Sequence, residues 1–378
     1  MTSKNKYFSI LGILKIITYL AFILFVYEKS YKQDYFNYDG IPYVASAYIL
    51  TGEDLVSSHA YAWNLLRSKS QPGVFNDLCC ASSYRKSMYQ SFEAFGSHLP
   101  SYQTKSLYVL TVRVISSLLN IDEFEALKLI SFASVILLSF LAAFFLFNKS
   151  FILYISIFPI LILMQIIPMA RLLTPDSFNA LLMFSAATCF LSQKKTAGYG
   201  IMLASILVRQ TNIILFALFL LFELKERKYL KLILYASLGL LIYFLNSSLF
   251  ESIGYWKTYY SSLIRMPDTF VGFNPPFELS LIYSTLIGKL NWMLGNPELN
   301  RFPALMLILL SLSLLPLKEK SYWMIEKRLV PFIFTIGAII SFALIPFPDF
   351  RIYAGFLIAA SLSLIANINE KRLTDKAR

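Results

Sequence analysis

Four places in the chain bring together residue types that could serve one reaction. Tyr38-Asp39-Gly40 follows the first long apolar run. A carboxylate held there at a membrane surface can act as a general base, although Asp-Gly is also a plain turn. Asp34 and Asp54 are nearby competitors for the same role. The stretch ARLLTPDSFNALLMF (170–184) holds the second pair, Arg171 and Asp176. Thr174 suits a helix cap, Pro175 the first helical position and Asp176 the positive end of the helix dipole. Those roles explain Asp176 structurally and leave Arg171 unexplained. The third place is Val208-Arg209-Gln210-Thr211-Asn212, an arginine within an apolar stretch. Its natural partner is an anion, and its structural alternative is a salt bridge to Asp39 or Asp176. The fourth is Pro348-Asp349-Phe350-Arg351-Ile352-Tyr353, where Arg351 can meet a phosphate or snorkel to the interface. His59 and His98 are the only histidines; neither has zinc-ligand spacing, and His98 stands in HLPSY. No metal site is expected, and no GxGxxG, Walker or GxSxG motif occurs in a usable context.

The elements that must position these residues are membrane helices. Of 378 residues 57% are apolar and 15% charged, against about 45–50% and about 25% in ordinary soluble domains. Mean hydropathy is +0.60. A single water-soluble domain has too little interior for that composition. The net charge of +12 does not point to nucleic acid, because the basic residues fall in short clusters between apolar runs, the positive-inside pattern. Three cysteines, two of them adjacent (Cys79 and Cys80), make no disulfide framework, and no redox chemistry is expected from them. Apolar runs at 8–26, 124–147, 151–170, 177–192, 197–208, 212–223, 230–249, 302–317, 329–345 and 352–366 give an all-α, polytopic bundle of about ten membrane passages. The first run reads as an uncleaved anchor. Clusters at Lys4/Lys6, Lys149, Lys194/Lys195, 225–231, 318–328 and 371–378 share one side if both termini are cytoplasmic. The single domain (1–378) then has two large extracytoplasmic loops, 27–123 and 250–301. Within the first, 41–50 and 106–119 are expected as interfacial or partly embedded helices. Residues 197–223 cannot be one helix without placing Arg209 at the bilayer centre. Two short helices meeting at VRQTN are expected instead, facing a polar cavity lined by Arg209.

In order and sidedness these places resemble the GT-C superfamily of polytopic glycosyltransferases, such as protein O-mannosyltransferases and the aminoarabinose transferases of lipid A. The resemblance rests on Asp39 in YFNYDGIPY, an H-P-P-like stretch at HLPSYQTKSLYVLTVRVISSLLNIDEFEALKLIS, Arg171 and Asp176 as R-x-x-x-x-D, and Arg209 between two short helices. RQTN also resembles a tetrapeptide of eukaryotic glucosyltransferases. The likeness covers about 8–223. The chain departs from it at Asp39-Gly40, where mannosyltransferases often carry Asp-Glu, and at Leu99 and Ser101, which interrupt the H-P-P stretch.

The resemblance implies an inverting sugar transfer from a polyprenyl-phosphate donor to an extracytoplasmic glycan, lipid or protein. Asp39 would be the general base. Arg209, Arg171 and Arg351 would bind the donor phosphate, with Asp176, Gln210, Tyr38 and His98 in support. No cofactor is implied; a monophosphate donor does not demand a divalent metal, though some relatives use one. A bacterial inner membrane is the expected location. The rival readings are a lipid-linked glycan flippase or transporter and an envelope polysaccharide polymerase or ligase.

Overall fold

A computed structural model describes residues 3–33, 35–296, 301–314, 322–347 and 349–368. Asp34, Pro348, Lys318, Lys320 and the 371–378 cluster lie outside the described residues, as do the side chains of Lys4 and Lys6.

Helix α1 (Ser3–Val26) continues into one π-helical turn, Tyr27–Tyr31. Seven short helices follow: α2 (Gly40–Ile49), α3 (Leu55–Lys69), α4 (Pro72–Cys80), α5 (Ser83–Gln90), α6 (Phe92–His98), α7 (Pro100–Gln103) and α8 (Ser106–Leu119). They build a hydrophobic core from residues such as Val44, Trp63, Phe95 and Tyr108, completed by Leu127 of the next helix. Cys79 and Cys80, at the end of α4, are joined as a disulfide.

The bundle itself starts with α9 (Glu123–Phe145), which Asp122 caps by accepting from the amides of Phe124 and Glu125 at 3.1 and 3.2 Å. Three short helices follow, α10 (Phe151–Ile155), α11 (Ile157–Leu163) and α12 (Ile166–Arg171). Next come α13 (Asp176–Leu191), α14 (Lys195–Ile206), α15 (Asn212–Phe219), α16 (Leu221–Lys225) and α17 (Tyr229–Leu249). The chain then runs through α18 (Tyr255–Leu263), α19 (Leu279–Gly295), α20 (Arg301–Leu314), α21 (Tyr322–Leu344) and α22 (Arg351–Asn367). Among the described residues there is no strand.

Among the described residues four segments are, by length and composition, able to cross a membrane: Ile10–Tyr31, Glu123–Phe145, Tyr229–Leu249 and Lys327–Leu344. The protein is thus a helical membrane protein, and these four replace the ten passages expected from hydropathy alone. One cause is legible in the 151–170 run. A proline clashes with the carbonyl four residues earlier. Pro159 ends α10 at Ile155, and Pro168 ends α11 before Gln165, so the expected span is three short pieces. The break expected at VRQTN is present, between α14 and α15. Helix α17 leaves Leu230, Ile233, Leu234, Leu241, Phe244 and Leu245 exposed, a surface suited to lipid tails.

Helix α2 differs from expectation. Gly40–Ala47 are buried in the outer core rather than laid on a membrane surface. Helix α8 is two-faced: Tyr108, Val109 and Val112 pack inward, and Leu110, Val114 and Leu118 are exposed.

Helices α13 and α22 form the centre of the bundle. Every residue from Tyr353 to Ser363 in α22 is buried. Small residues permit that approach: a Cβ placed on Gly355 would lie 3.1 Å from the Ala180 Cα of α13. The N-termini of these two helices, Asp176 and Arg351, point to the same end of the molecule and found the site described next.

Candidate functional site

At the end of the bundle where α13 and α22 begin, carboxylates and cations form one chain of contacts. Arg351 is its hub. Its guanidinium lies 2.6 Å from Asp349 Oδ2, 3.7 Å from Asp176 Oδ2 and 3.8 Å from Asp39 Oδ2. The Arg351 amide donates to Asp349 Oδ1 at 3.2 Å. Asp176 pairs on its other oxygen with Arg209. Asp39 and Arg209 therefore belong to one network, joined through Arg351 and Asp176 rather than facing each other directly.

The carboxylates Asp176 and Asp39 in this relay differ. The Asp176 side chain is 2% exposed and is held by Arg209, Arg351 and a 2.9 Å hydrogen bond from Thr174 Oγ1. Thr174 thus donates to a side chain instead of capping α13, because the helix starts one residue later than the sequence suggests, at Asp176. Asp39 is 36% exposed. Its Oδ1 accepts from the Tyr102 hydroxyl at 3.0 Å. Burial holds the Tyr102 phenol far above its ordinary pKa, so it stays a donor. The second oxygen of Asp39 faces Arg351.

Asp39 and Arg351 both line a cleft of about 570 Å³, together with Tyr35, Asn37, Tyr38, Tyr84, Arg85, Gln165 and Asp349. That volume lies within the roughly 300–1,000 Å³ of small-molecule sites. Arg85 sits 5.7 Å over the Tyr38 ring, and Tyr38 packs 5.5 Å from Tyr84.

Arg209 stands behind the cleft rather than in its wall. Hydrogen bonds within the protein brace the helix break around it. Leu207 O accepts from the Leu107 amide at 3.1 Å, Gln210 Nε2 donates to Ser247 Oγ at 2.9 Å, and Asn212 Nδ2 donates to Asn179 Oδ1 at 2.6 Å. These bonds satisfy polar groups that a bilayer would otherwise leave bare. Asn246 locks the same junction, donating to Thr104 O at 2.7 Å and accepting from Ser106 Oγ at 2.6 Å. Arg171 is not brought to the carboxylates; its guanidinium stacks 4.6 Å over the Tyr35 ring.

His98 is buried among aromatic rings, stacked 4.9 Å on Phe270 and edge-on to Tyr84 and Tyr102. Burial, and then the charge of Lys105, pulls its imidazole down to about 3, so it is neutral packing rather than an acid or base. Its neighbour Ser97 ties this layer to the connection between α18 and α19, accepting from the Phe270 amide at 3.0 Å.

Lys105 escaped the sequence reading. It donates to Ser101 O at 2.6 Å and lies 4.9 Å over Tyr102 and 5.6 Å over Tyr43. Burial and the nearby Arg209 bring its ammonium down to about 8, against the opposing pull of Asp39. A lysine between two tyrosine-bearing helices, at the entry to an apolar one, is the signal that marks it. Asp349 was also unassigned, although it sits two residues from Arg351. Among the described residues no group of three or more His, Cys, Asp or Glu side chains is placed to hold a metal.

No protein-family model, curated protein or solved structure matches the chain.

Proposed function

We propose that the protein is a membrane glycosyltransferase of GT-C type that moves a sugar from a polyprenyl phosphate to an extracytoplasmic hydroxyl. The observation that carries this reading is Asp39 and Arg351 sharing one open cleft, 3.8 Å apart. The acceptor hydroxyl enters the cleft, and Asp39 takes its proton as the oxygen attacks the anomeric carbon from the face opposite the phosphate. The bond from the anomeric carbon to the phosphate oxygen breaks, the configuration inverts, and polyprenyl phosphate leaves with the electron pair. That leaving group needs a cation, not a proton. Arg351 supplies it, and a donor phosphate competing for Arg351 releases Asp39 for base duty. Arg209 holds Asp176, which fixes Arg351 from behind. Arg171 holds the cleft wall through Tyr35.

The topology that goes with this reading places 27–123 and 250–301 outside a bacterial inner membrane. Both termini face the cytoplasm. In a background without native cysteines, Asn274→Cys is expected to react with an impermeant thiol reagent added outside, and Arg227→Cys is not; the reverse discards the topology. The activity test is Asp39→Asn in the purified protein with a labelled polyprenyl-phosphate sugar. A general base contributes about 10²–10⁴-fold, and a loss of that size with normal expression is the expected result. Movement of the labelled lipid across a vesicle membrane without sugar transfer would favour a flippase instead.

A further inference from the structure

Cys79 and Cys80, for which the sequence raises no redox expectation, are joined to each other. A disulfide stabilises a fold mainly by closing a loop, and the gain grows with the length of chain enclosed. This one joins neighbours in sequence, so loop closure gives it little structural worth. The two sulfurs also differ in setting. Cys79 is buried in the core built by the short helices, and its Sγ lies 3.7 Å from Asn76 O. That carbonyl is a partner for a thiol S–H, whereas a disulfide sulfur has no proton to give it. Cys80 is exposed. Exposed disulfides are the ones open to thiol exchange.

The pair stands at the corner between α4 and α5, and α5 carries one wall of the cleft. Ser82 caps α5, its hydroxyl accepting from the Arg85 amide at 3.2 Å. Arg85 Nη1 reaches back across the corner, donating to Asp77 O at 2.9 Å and to Asp77 Oδ2 at 3.2 Å. The same Asp77 carbonyl accepts from the Ala81 amide at 3.3 Å, the bond that closes the last turn of α4 around both cysteines. Tyr84 and Arg85 line the cleft, Arg85 over the Tyr38 ring. Consecutive contacts therefore run from the cysteine pair through Asp77 to the cleft wall.

We propose that Cys79–Cys80 is a reversible redox site, opened by an extracytoplasmic dithiol, and that its state sets how firmly Arg85 is held in the cleft wall. A thiolate of the dithiol attacks the exposed Cys80 Sγ. The S–S bond breaks, and its electron pair leaves on Cys79, which takes a proton and donates to Asn76 O. The second thiolate of the reductant then attacks the reductant's own sulfur in the mixed disulfide and releases Cys80, which is protonated in turn. Two cysteine thiols form as the dithiol becomes a disulfide, so two electrons and two protons are transferred. With the link open, the last turn of α4 relaxes and the Asp77 carbonyl loses its fixed aim at Arg85. A disulfide within 27–123 also agrees with the oxidising side of a membrane, where that segment is proposed to lie.

The test uses the full-length protein in its membrane, with dithiothreitol as the dithiol and oxidised glutathione as the oxidant. Thiols are quenched in acid, labelled with a maleimide and mapped by peptide mass, which keeps Cys189 apart from the pair. Cys79 and Cys80 are expected to take no label as isolated, to take two after dithiothreitol without denaturant, and to take none again after oxidised glutathione. Amide hydrogen exchange reads the second half of the proposal. Peptides over 81–90 are expected to exchange about tenfold faster in the reduced protein, as the loss of one charged hydrogen bond implies, while peptides of α3 stay unchanged. In Arg85→Gln the same peptides exchange fast in both states, so the redox difference disappears. Label on both cysteines before any reductant, or opening only in denaturant, would overturn the redox site. Equal exchange over 81–90 in the two states, or a redox difference that survives Arg85→Gln, would overturn its link to the cleft. No readout here uses sugar transfer, so failure of this proposal leaves the proposed function standing, and the converse holds.

Discussion

The two ends of the helical bundle hold their charges differently. At the basic end two lysines reach carbonyls beyond helix C-termini, where the dipole favours a cation. Lys15 donates to Phe147 O and Lys149 O at 2.6 Å, just past the C-terminus of α9. Lys149 donates to Ile368 O at 2.7 Å, past the end of α22. These contacts satisfy carbonyls that a helix end leaves bare. Lys195 opens α14 and Lys228 precedes α17, so both stand at helix N-termini, and both pair with Glu226. At the opposite end Arg351 occupies the first position of α22, the positive end of that helix. The dipole disfavours it there. It stays because Asp349, Asp176 and Asp39 surround it, and it opens onto a cleft. Lys195 and Arg351 both stand against a helix dipole and are offset by carboxylates; Arg351 in addition opens onto the cleft, and that opening marks the binding site.

The sharpest way to break this contrast is Asp176→Ala. It strands the Arg209 guanidinium beside the helix break, and losing one member of a buried pair costs about 3–5 kcal/mol. Unfolding of the variant in detergent should show that loss; an unchanged midpoint would mean the outer network is not structural. Lys15→Met at the basic end should cost less, about 1.5–3 kcal/mol, the worth of charged hydrogen bonds, read in the same assay. Titration comes next. Unfolded His98 takes up a proton near its ordinary pKa of 6.5, whereas buried His98 resists to about 3. The unfolded state thus binds more protons between those values, so stability falls as pH drops from 6.5 towards 3 and changes no further below that. His98→Phe keeps the stack on Phe270 without a titrating ring and should flatten part of that fall; an identical pH profile would contradict the buried placement. The smallest effect is expected at Lys32→Ala, whose partner Glu28 lies in the same exposed π turn, with no measurable shift in melting temperature.

Much of the architecture was legible in the chain because hydropathy and charge report it locally. The N-terminal anchor, α9 and α17 are long enough to declare themselves. The α14–α15 break was forced by the cost of Arg209 in lipid. The 151–170 division was also written there, in Pro159 and Pro168, but average hydropathy hides prolines. The site was legible in its parts and not in its connections. Asp39 and Arg351 are more than 300 residues apart, and nothing local says that α22 returns beside α2. Arg209 and Asp176 were both visible, and their pairing was one of two structural alternatives. Lys105 was missed because an isolated lysine before an apolar helix reads as a snorkelling anchor until tertiary packing surrounds it with Tyr43, Tyr102 and Arg209.

Arg351 tests the central claim most directly. The measurement is the rate of sugar transfer from a labelled polyprenyl-phosphate donor by Arg351→Gln beside Arg171→Gln, with folding checked by melting temperature. The account predicts a loss of about 10²–10³-fold for a group that stabilises developing charge, at Arg351→Gln, and a much smaller loss at Arg171→Gln. A folded Arg351→Gln protein that transfers sugar at the wild-type rate would contradict it.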